Sequence, residues 1–335
     1  MSIYTFHDAP KVKEKFIVVA VPESTYLSIK EILESEGFRE FDDFIYSDIF
    51  LKKLCVINAN CHGNALKEYL NDNALFGKEY GIYPVPMIHL NDKKEISEEI
   101  LKRADLYIHQ NIKGDNSQGY KLSDEYTLPR LKAGCRRICI PNFVKMAVPF
   151  YPTHEAEAVY RSTLDLYYKD TLIDEAYMNC ETKNIENMIQ YILNYQFSKA
   201  AIRNEFSLMI EKLKEREKSW DIKIVDYIMD NYMDKQMFVD VSHPSDDLML
   251  KICREVCKQL GLADSNNKKV YYFNLGVEAF MWPQVKEILG IRWDKNRVRE
   301  YTDRQNLHHF GIGGIDMRQY IQEYIWCAFG KYIPS

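Results

Sequence analysis

The chain has 335 residues, of which 46% are hydrophobic and 28% charged, proportions typical of a globular protein with room for two domains. Its formal net charge is -5, so it lacks the strong overall positive charge that marks many nucleic-acid-binding proteins. We therefore expect no nucleic-acid partner.

The N-terminal segment and the cysteines bear on the cellular compartment. Residues 1–10 are mostly polar and are followed by several lysines, which does not indicate a secretory signal. The apolar run 16–21 is far shorter than the ~20 residues that span a bilayer. The eight cysteines form no C-x-x-C pair, and no group of His and Cys has zinc spacing. We expect a cytoplasmic protein with no membrane span and no metal site.

Residues 1–150 alternate short apolar runs with helical patterns. The expected strands cover 16–21, 54–58, 106–109 and 137–140, and the expected helices cover 24–34, 64–73, 96–104 and 123–133. Pro129 should break the last helix, and two prolines should keep 83–90 extended. This alternation predicts an α/β domain built on a parallel sheet.

Residues 151–335 have a different pattern and are expected to form a mainly helical region. Helical spacing and dense charge mark 155–168, 185–218 and 222–233. A strand that ends in a polar turn is expected at 237–244, followed by a helix over 248–260 that Gly261 stops. We predict that 237–261 packs back on the sheet domain of 1–150.

The stretch Asn58-Ala-Asn-Cys-His-Gly-Asn64 is the first candidate for chemistry. It follows the apolar strand 54–58 and precedes a helix, so it should form a polar turn at the carboxyl end of a strand, where open α/β sheets bind ligands. Helix N-termini favour anions and thiolates. Cys61 is a candidate nucleophile and His62 a candidate base. The alternative is a small buried cysteine beside a surface histidine.

Three other polar clusters are weaker candidates. Gln110 and Asn111 follow a strand and could donate to an oxyanion, with Lys113 near a phosphate, although ordinary turn chemistry explains them equally well. His243, ahead of Pro244, could supply a second imidazole or simply pack. His308-His309, beside several glycines, is either a mobile loop near a site or a surface loop. No Walker or G-x-G-x-x-G pattern indicates a nucleotide site of those types.

Together these stretches resemble the WcbI family of bacterial polysaccharide-biosynthesis proteins, over about 53–261. The resemblance is carried by Asn58-Ala-Asn-Cys-His-Gly-Asn64, by Leu106-Tyr-Ile-His-Gln-Asn-Ile112 with the following Tyr120, by Arg137-Ile-Cys-Ile-Pro-Asn142, and by His243-Pro244. The layout is also similar to that of SGNH hydrolases, with Cys61 where their serine stands, although no GDS motif is present. An α/β fold with an SGNH-like layout and a mainly helical C-terminal region is the resulting expectation.

The resemblance implies transfer of an acetyl group from acetyl-CoA to a saccharide hydroxyl in capsular or surface polysaccharide biosynthesis. The acceptor would be a saccharide or a sugar nucleotide, and a homo-oligomer is compatible with the sequence. The implied catalytic residues are Cys61 and a base, either His62 or His243. The residues predicted to contact coenzyme A are Asn60, Gly63, Asn64, Gln110, Asn111, Lys113, Tyr120, Arg136, Arg137 and Asn142.

Three other functions stay open. One is an SGNH-like or cysteine-dependent carbohydrate esterase, which removes an acyl group. Another is a non-catalytic protein that binds coenzyme A or a sugar. The last is a glycosyltransferase-locus protein of unrelated chemistry.

Overall fold

The structure is a computed structural model that describes residues 16–88, 95–115, 119–158, 168–181, 183–263, 279–293 and 316–330. The chain divides into two compact units. Unit 1 comprises Met1–Ile140, Trp220–Ile222 and Cys253–Lys269, and unit 2 comprises Pro141–Ser219, Lys223–Ile252 and Val270–Ser335. The predicted boundary at 150 and the predicted packing of 237–261 stay predictions.

Unit 1 alternates strands with helices. In chain order its elements are β1 (Ile17–Val19), α1 (Glu23–Ser35), β2 (Phe44–Tyr46), β3 (Lys53–Asn58), α2 (Cys61–Asp72), α3 (Ala74–Glu79), β4 (Tyr80–Ile82), α4 (Glu98–Arg103), β5 (Leu106–His109), α5 (Asp124–Thr127) and β6 (Arg136–Cys139).

A four-stranded parallel sheet, in the order β4-β3-β5-β6, forms the centre of unit 1. Asn58, at the end of β3, pairs with His109 at the end of β5, which pairs with Cys139 in β6. Strands β1 and β2 form a separate parallel pair. The predicted α/β fold with a parallel sheet is therefore confirmed, while the SGNH-like layout stays a prediction.

The central strands are buried on both faces, as their unbroken apolar sequences require. Cys55, Val56 and Tyr107 have no exposed surface, and Leu106 and Ile108 are buried as completely. Continuous apolar strands are typical of parallel sheets that helices cover on both sides. The short segment Trp220–Ile222 bonds to the end of β6: the Asp221 N–H donates to the Cys139 carbonyl at 3.0 Å.

Unit 2 is mainly helical. Its elements are β7 (His154–Ala158), β8 (Tyr168–Asp170), α6 (Thr171–Asn179), α7 (Ile185–Asn194), α8 (Lys199–Glu217), α9 (Val225–Asn231), the first half of α10 (Asp246–Gln259), α11 (Pro283–Leu289) and α12 (Met317–Phe329). Strands β7 and β8 pair antiparallel, with His154 opposite Asp170.

A buried polar network lies within unit 2, around Asp170. The Asp170 carboxylate caps α6 by accepting from the Leu172 N–H at 3.0 Å, and its other oxygen lies 3.2 Å from His154 Nε2. That histidine nitrogen is also 2.9 Å from the Tyr320 hydroxyl. Burial raises the pKa of Asp170 to about 7, because water no longer stabilises the carboxylate. The carboxyl therefore titrates near neutral pH rather than near pH 4.

Several elements differ from expectation, each for a local reason. The helix predicted at 155–168 is wrong at both ends that the structure describes: 154–158 and 168–170 are strands, and the alternation with period two in 154–158 favours a strand there. The strand predicted at 237–244 is wrong as well. Asp240 Oδ1 accepts from the backbone N–H of Ser242 and of His243, which closes a turn and leaves a single bridge between Phe238 and Pro244.

Other boundaries moved by a few residues. Helix α2 begins at Cys61 rather than near 64, since Asn60 caps it. The helix expected over 123–133 stops at Thr127 and continues as a 3-10 turn over Leu128–Arg130, so the predicted break at Pro129 is confirmed. Among the described residues, none of the helices combines the length and the apolar character that crossing a membrane requires.

Candidate functional site

The turn from β3 into α2 places Cys61 at the first position of a twelve-residue helix. Asn60 has an extended backbone, and its side-chain oxygen accepts from the His62 N–H at 2.9 Å, which satisfies one of the donors that a helix N-terminus leaves unpaired. The Asn60 carbonyl accepts from the Gly63 N–H at 2.9 Å. Cys61 is half-buried, whereas His62 is 1% exposed. Cys61 is therefore the more accessible of the pair.

Gln110 joins the end of β5 to this turn. Its backbone N–H donates to the Asn58 carbonyl at 3.1 Å and so adds a rung to the ladder between β3 and β5. Its side chain, 1% exposed, makes two further contacts. Oε1 accepts from the Asn60 N–H at 3.1 Å, and Nε2 lies 3.3 Å from His62 Nδ1. One amide thus holds both the helix cap and the imidazole.

Gly63 allows α2 to approach β3 closely. A Cβ at this position would lie 2.5 Å from Ala59 Cβ and 3.1 Å from Ile57 Cγ2. The structure shows a packing role for Gly63, and its predicted contact to the cofactor stays a prediction. The next residue, Asn64, is exposed and lines a small pocket with Lys67, whose ammonium pairs with Glu23.

A second histidine of unit 1, His109, lies at the carboxyl end of β5. It is 6% exposed, and its Nδ1 lies 2.9 Å from Asp124 Oδ1 and 3.3 Å from the Gln110 carbonyl. Its ring stacks on Tyr107, whose hydroxyl accepts from Asn58 Nδ2 at 2.8 Å. Burial raises the pKa of Tyr107, which keeps the phenol protonated. No site role was predicted for His109 or for Asp124, because their pairing joins residues on two different elements.

The remaining predicted contacts of unit 1 fall at two different ends of the sheet. Asn111, Lys113 and Tyr120 follow the carboxyl end of β5 and are exposed, with Tyr120 57% exposed and edge-on to Tyr126. In contrast, Arg136 and Arg137 begin β6 and pair with Leu106 and Tyr107 near the amino end of β5. The structure therefore does not bring the two arginines together with Cys61.

The other predicted residues belong to unit 2. His243 is 6% exposed, and its Nδ1 lies 2.7 Å from Asp240 Oδ2. The sequence missed Asp240, although its position three residues before His243 is a signal for such a pair. Asn142 accepts from the Val144 N–H at 3.1 Å through its side chain. His308 and His309 lie outside the described residues.

Comparison with known proteins gives one family and one similar fold. The model of the family described as "Polysaccharide biosynthesis enzyme WcbI" matches residues 54–265. A solved structure of WcbI is 19% identical to this chain, with a TM-score of 0.51 over 71% of this chain and 79% of the other. That structure is described as a native protein without a disulfide bond between coenzyme A and one of its cysteines. The curated proteins contain no match.

Proposed function

The chain belongs to the WcbI family of polysaccharide biosynthesis enzymes, and from this premise we propose that it transfers an acetyl group from acetyl-CoA to a saccharide hydroxyl. The observation that carries the proposal is the position of Cys61. A half-buried thiol stands at the first residue of α2, directly after the carboxyl end of a central parallel strand. Ligands of open α/β sheets bind at such strand ends, and a helix N-terminus stabilises negative charge.

Coenzyme A is the proposed acyl carrier. The similar solved structure is described in terms of coenzyme A and a cysteine, and Cys61 is our candidate for the cysteine that meets the thioester here. Asn111, Lys113 and Tyr120 are our candidates for contacts to the rest of the carrier, since all three are exposed and follow the strand next to β3. Arg136 and Arg137 are left out because they lie near the amino end of the sheet.

Two routes fit the residues of unit 1. In the first, the Cys61 thiolate attacks the thioester carbonyl, the bond from the acetyl carbon to the coenzyme A sulfur breaks, and coenzyme A leaves as a thiolate. The acceptor hydroxyl then attacks the acetyl-cysteine, gives its proton to a base and releases Cys61. In the second, the hydroxyl gives its proton to a base and attacks acetyl-CoA directly, the bond from the acetyl carbon to sulfur breaks, and coenzyme A leaves as a thiolate, while Cys61 only lines the thioester pocket. Polar N–H groups near the helix N-terminus would stabilise the oxyanion in both.

His62 and His243 are the two candidate bases, and the contacts of each imidazole distinguish them. His243 has the arrangement of a base: Asp240 accepts from Nδ1, which places the imidazole lone pair on Nε2. In His62, by contrast, Nδ1 faces the amide nitrogen of Gln110 at 3.3 Å rather than a carboxylate.

Mass spectrometry separates the two routes. Incubation with acetyl-CoA alone should add one acetyl group to Cys61 if the acetyl-cysteine forms, and Cys61→Ala should lose most of the activity. Cys135→Ser is the matched control, because Cys135 is also half-buried but burial raises its pKa to about 11. An unlabelled Cys61, with activity in Cys61→Ala equal to that of the wild type, would leave only the direct route.

A thermal-shift screen tests the proposed function itself. A ligand that binds the folded state raises the melting temperature by mass action. Coenzyme A and acetyl-CoA should produce a shift, and a sugar nucleotide should add to it if it is the acceptor. No shift with either form of coenzyme A would contradict the proposal. Hydrolysis of an acetyl ester without coenzyme A would instead favour the esterase, and binding without turnover would favour a non-catalytic binding protein.

A further inference from the structure

We infer that Gln110 is a positioning residue that fixes His62 as a hydrogen-bond donor rather than a base. The orientation of the Gln110 amide follows from one contact. The Asn60 backbone N–H can only donate, so the amide atom that lies 3.1 Å from it must be the oxygen. The amino group then faces His62 Nδ1 at 3.3 Å and donates to it.

This contact determines where the proton of His62 lies. A nitrogen that accepts a hydrogen bond must carry its lone pair, so Nδ1 is unprotonated and the proton of the neutral imidazole is on Nε2. Protonating Nδ1 as well would turn a donor towards the amino group of Gln110, which is also a donor. The neutral ring with its N–H on Nε2 is therefore the form that the contact with Gln110 stabilises.

The consequence for catalysis rests on the proposed acetyl transfer. An imidazole that presents N–H at Nε2 can stabilise an oxyanion or a thiolate, but it has no lone pair there to accept the proton of a hydroxyl. His62 then acts as a donor, and the base must be another group. Gln110 acts through His62 and through the cap of α2, so it need not touch the substrate.

The local contacts explain why Gln110 can hold this role. Its backbone is held by the ladder between β3 and β5, its side chain is 1% exposed, and both halves of its amide are used. The ring it holds is equally buried. A buried amide held in this way has a high cost of flipping, because the flipped amino group would face the Asn60 N–H, a donor against a donor.

Nuclear magnetic resonance on the full-length protein tests the inference without any assay of activity. With 15N-labelled histidine, long-range 1H–15N correlations report which ring nitrogen carries the proton, and the loss of one set of signals in His62→Gln assigns His62. We expect a protonated Nε2 and an unprotonated Nδ1 at pH 7. A protonated Nδ1, in either the neutral or the charged ring, would overturn the inference.

Gln110→Glu is the matched variant, because one carboxylate oxygen can still accept from the Asn60 N–H while the other accepts from His62. It should move the proton of His62 to Nδ1, or add a second proton there and charge the ring. In Gln110→Met, which removes both contacts, residue 110 should no longer determine which ring nitrogen carries the proton. An unchanged His62 spectrum in folded Gln110→Glu would also overturn the inference.

Kinetics then separate this inference from the proposed function. If His62 donates to an oxyanion, moving its proton to Nδ1 in Gln110→Glu should lower kcat by about 100-fold and leave the KM for acetyl-CoA near that of the wild type. The pH profile should change as well, because protonation of the ring at lower pH restores the N–H on Nε2. A purely structural role of Gln110 would not change the pH profile. If the wild type shows the expected tautomer but transfers no acetyl group, the proposed function fails while the role of Gln110 in fixing His62 stands.

Discussion

Gly63→Ala tests whether the close approach of α2 to β3 sets the position of the candidate site. The new Cβ would lie 2.5 Å from Ala59 Cβ, whereas carbon atoms in contact are about 3.5–4.0 Å apart. Ala59 Cβ is fixed to the backbone and cannot rotate away, so the first turn of α2 must move by about 1 Å. Overpacking of this kind costs about 1–3 kcal/mol, which exceeds the gain in helix propensity from replacing a glycine.

Cys61 and His62 lie on the turn that must move, so activity should fall more steeply than stability. A displacement of about 1 Å at a catalytic group can lower the rate by about 100-fold. We therefore expect a lower urea midpoint in Gly63→Ala, together with a larger loss of kcat in the acetyl-transfer assay. Glu68→Ala, on the exposed face of the same helix, is the control and should change neither quantity appreciably.

The double variant Ala59→Gly with Gly63→Ala makes the test specific. Removing the methyl group of Ala59 removes the atom that the new Cβ meets, so the double variant should be more stable than the sum of the two single changes predicts, by about 1–2 kcal/mol. Additive effects, or a Gly63→Ala variant with the urea midpoint of the wild type, would refute the reasoning.

Three further predictions concern stability. In Asp170→Asn the melting temperature should depend less on pH than in the wild type. The pKa of Asp170 is 3.8 in the unfolded state and about 7 in the folded state, so the folded state binds this proton more tightly. As pH rises between those values, Asp170 therefore lowers the free energy of unfolding by up to about 1.4 kcal/mol per pH unit. If the melting temperatures of the variant and the wild type changed equally with pH from 4 to 8, this prediction would be contradicted. Gly81→Ala should lower the free energy of unfolding, measured by urea denaturation, by about 3 kcal/mol or more, because its Cβ would lie 2.3 Å from the Asp48 carbonyl oxygen. Gly77→Ala in α3, whose Cβ would have its nearest atom at 3.8 Å, should be neutral or stabilising. Equal changes in stability for the two variants would contradict this prediction. Asn60→Ala should lower the free energy of unfolding by about 1 kcal/mol, because it removes the cap of α2, whereas Asn60→Asp should keep the cap and the stability. Equal melting temperatures for the two variants would contradict this prediction.

The central strands were predictable because their sequences carry strong local signals. The strand 106–109 matches its predicted bounds, and β3 and β6 begin within one residue of theirs, since each is an apolar run bounded by turn residues. Strands β2 and β4 were missed, because three residues are too few to show a period. The helix predicted over 155–168 fails at 155–158 for the same reason, since a short charged segment fits either pattern.

The sequence predicted which residues lie at the candidate site but not the hydrogen bonds that connect them. The residues at the ends of β3 and β5 point to a shared edge of the sheet, and the structure places Asn60, His62 and Gln110 together there. The function of Gln110 as a bridge could not be derived, because it depends on the register of two strands and on the orientation of one amide. The pair of His109 and Asp124 depends in the same way on a chain reversal after β5.

The rung that Gln110 adds to the sheet makes the candidate site depend on strand register. Side chains alternate between the two faces of a strand, so a slip of β5 by one residue would turn His109 or Asn111 towards the cap of α2 and remove the amide. The Cys61–His62 turn cannot take its final form from 53–72 alone, because the group that holds it comes from about 50 residues later in the chain. During folding, the candidate site would therefore become complete only after β3 and β5 have paired.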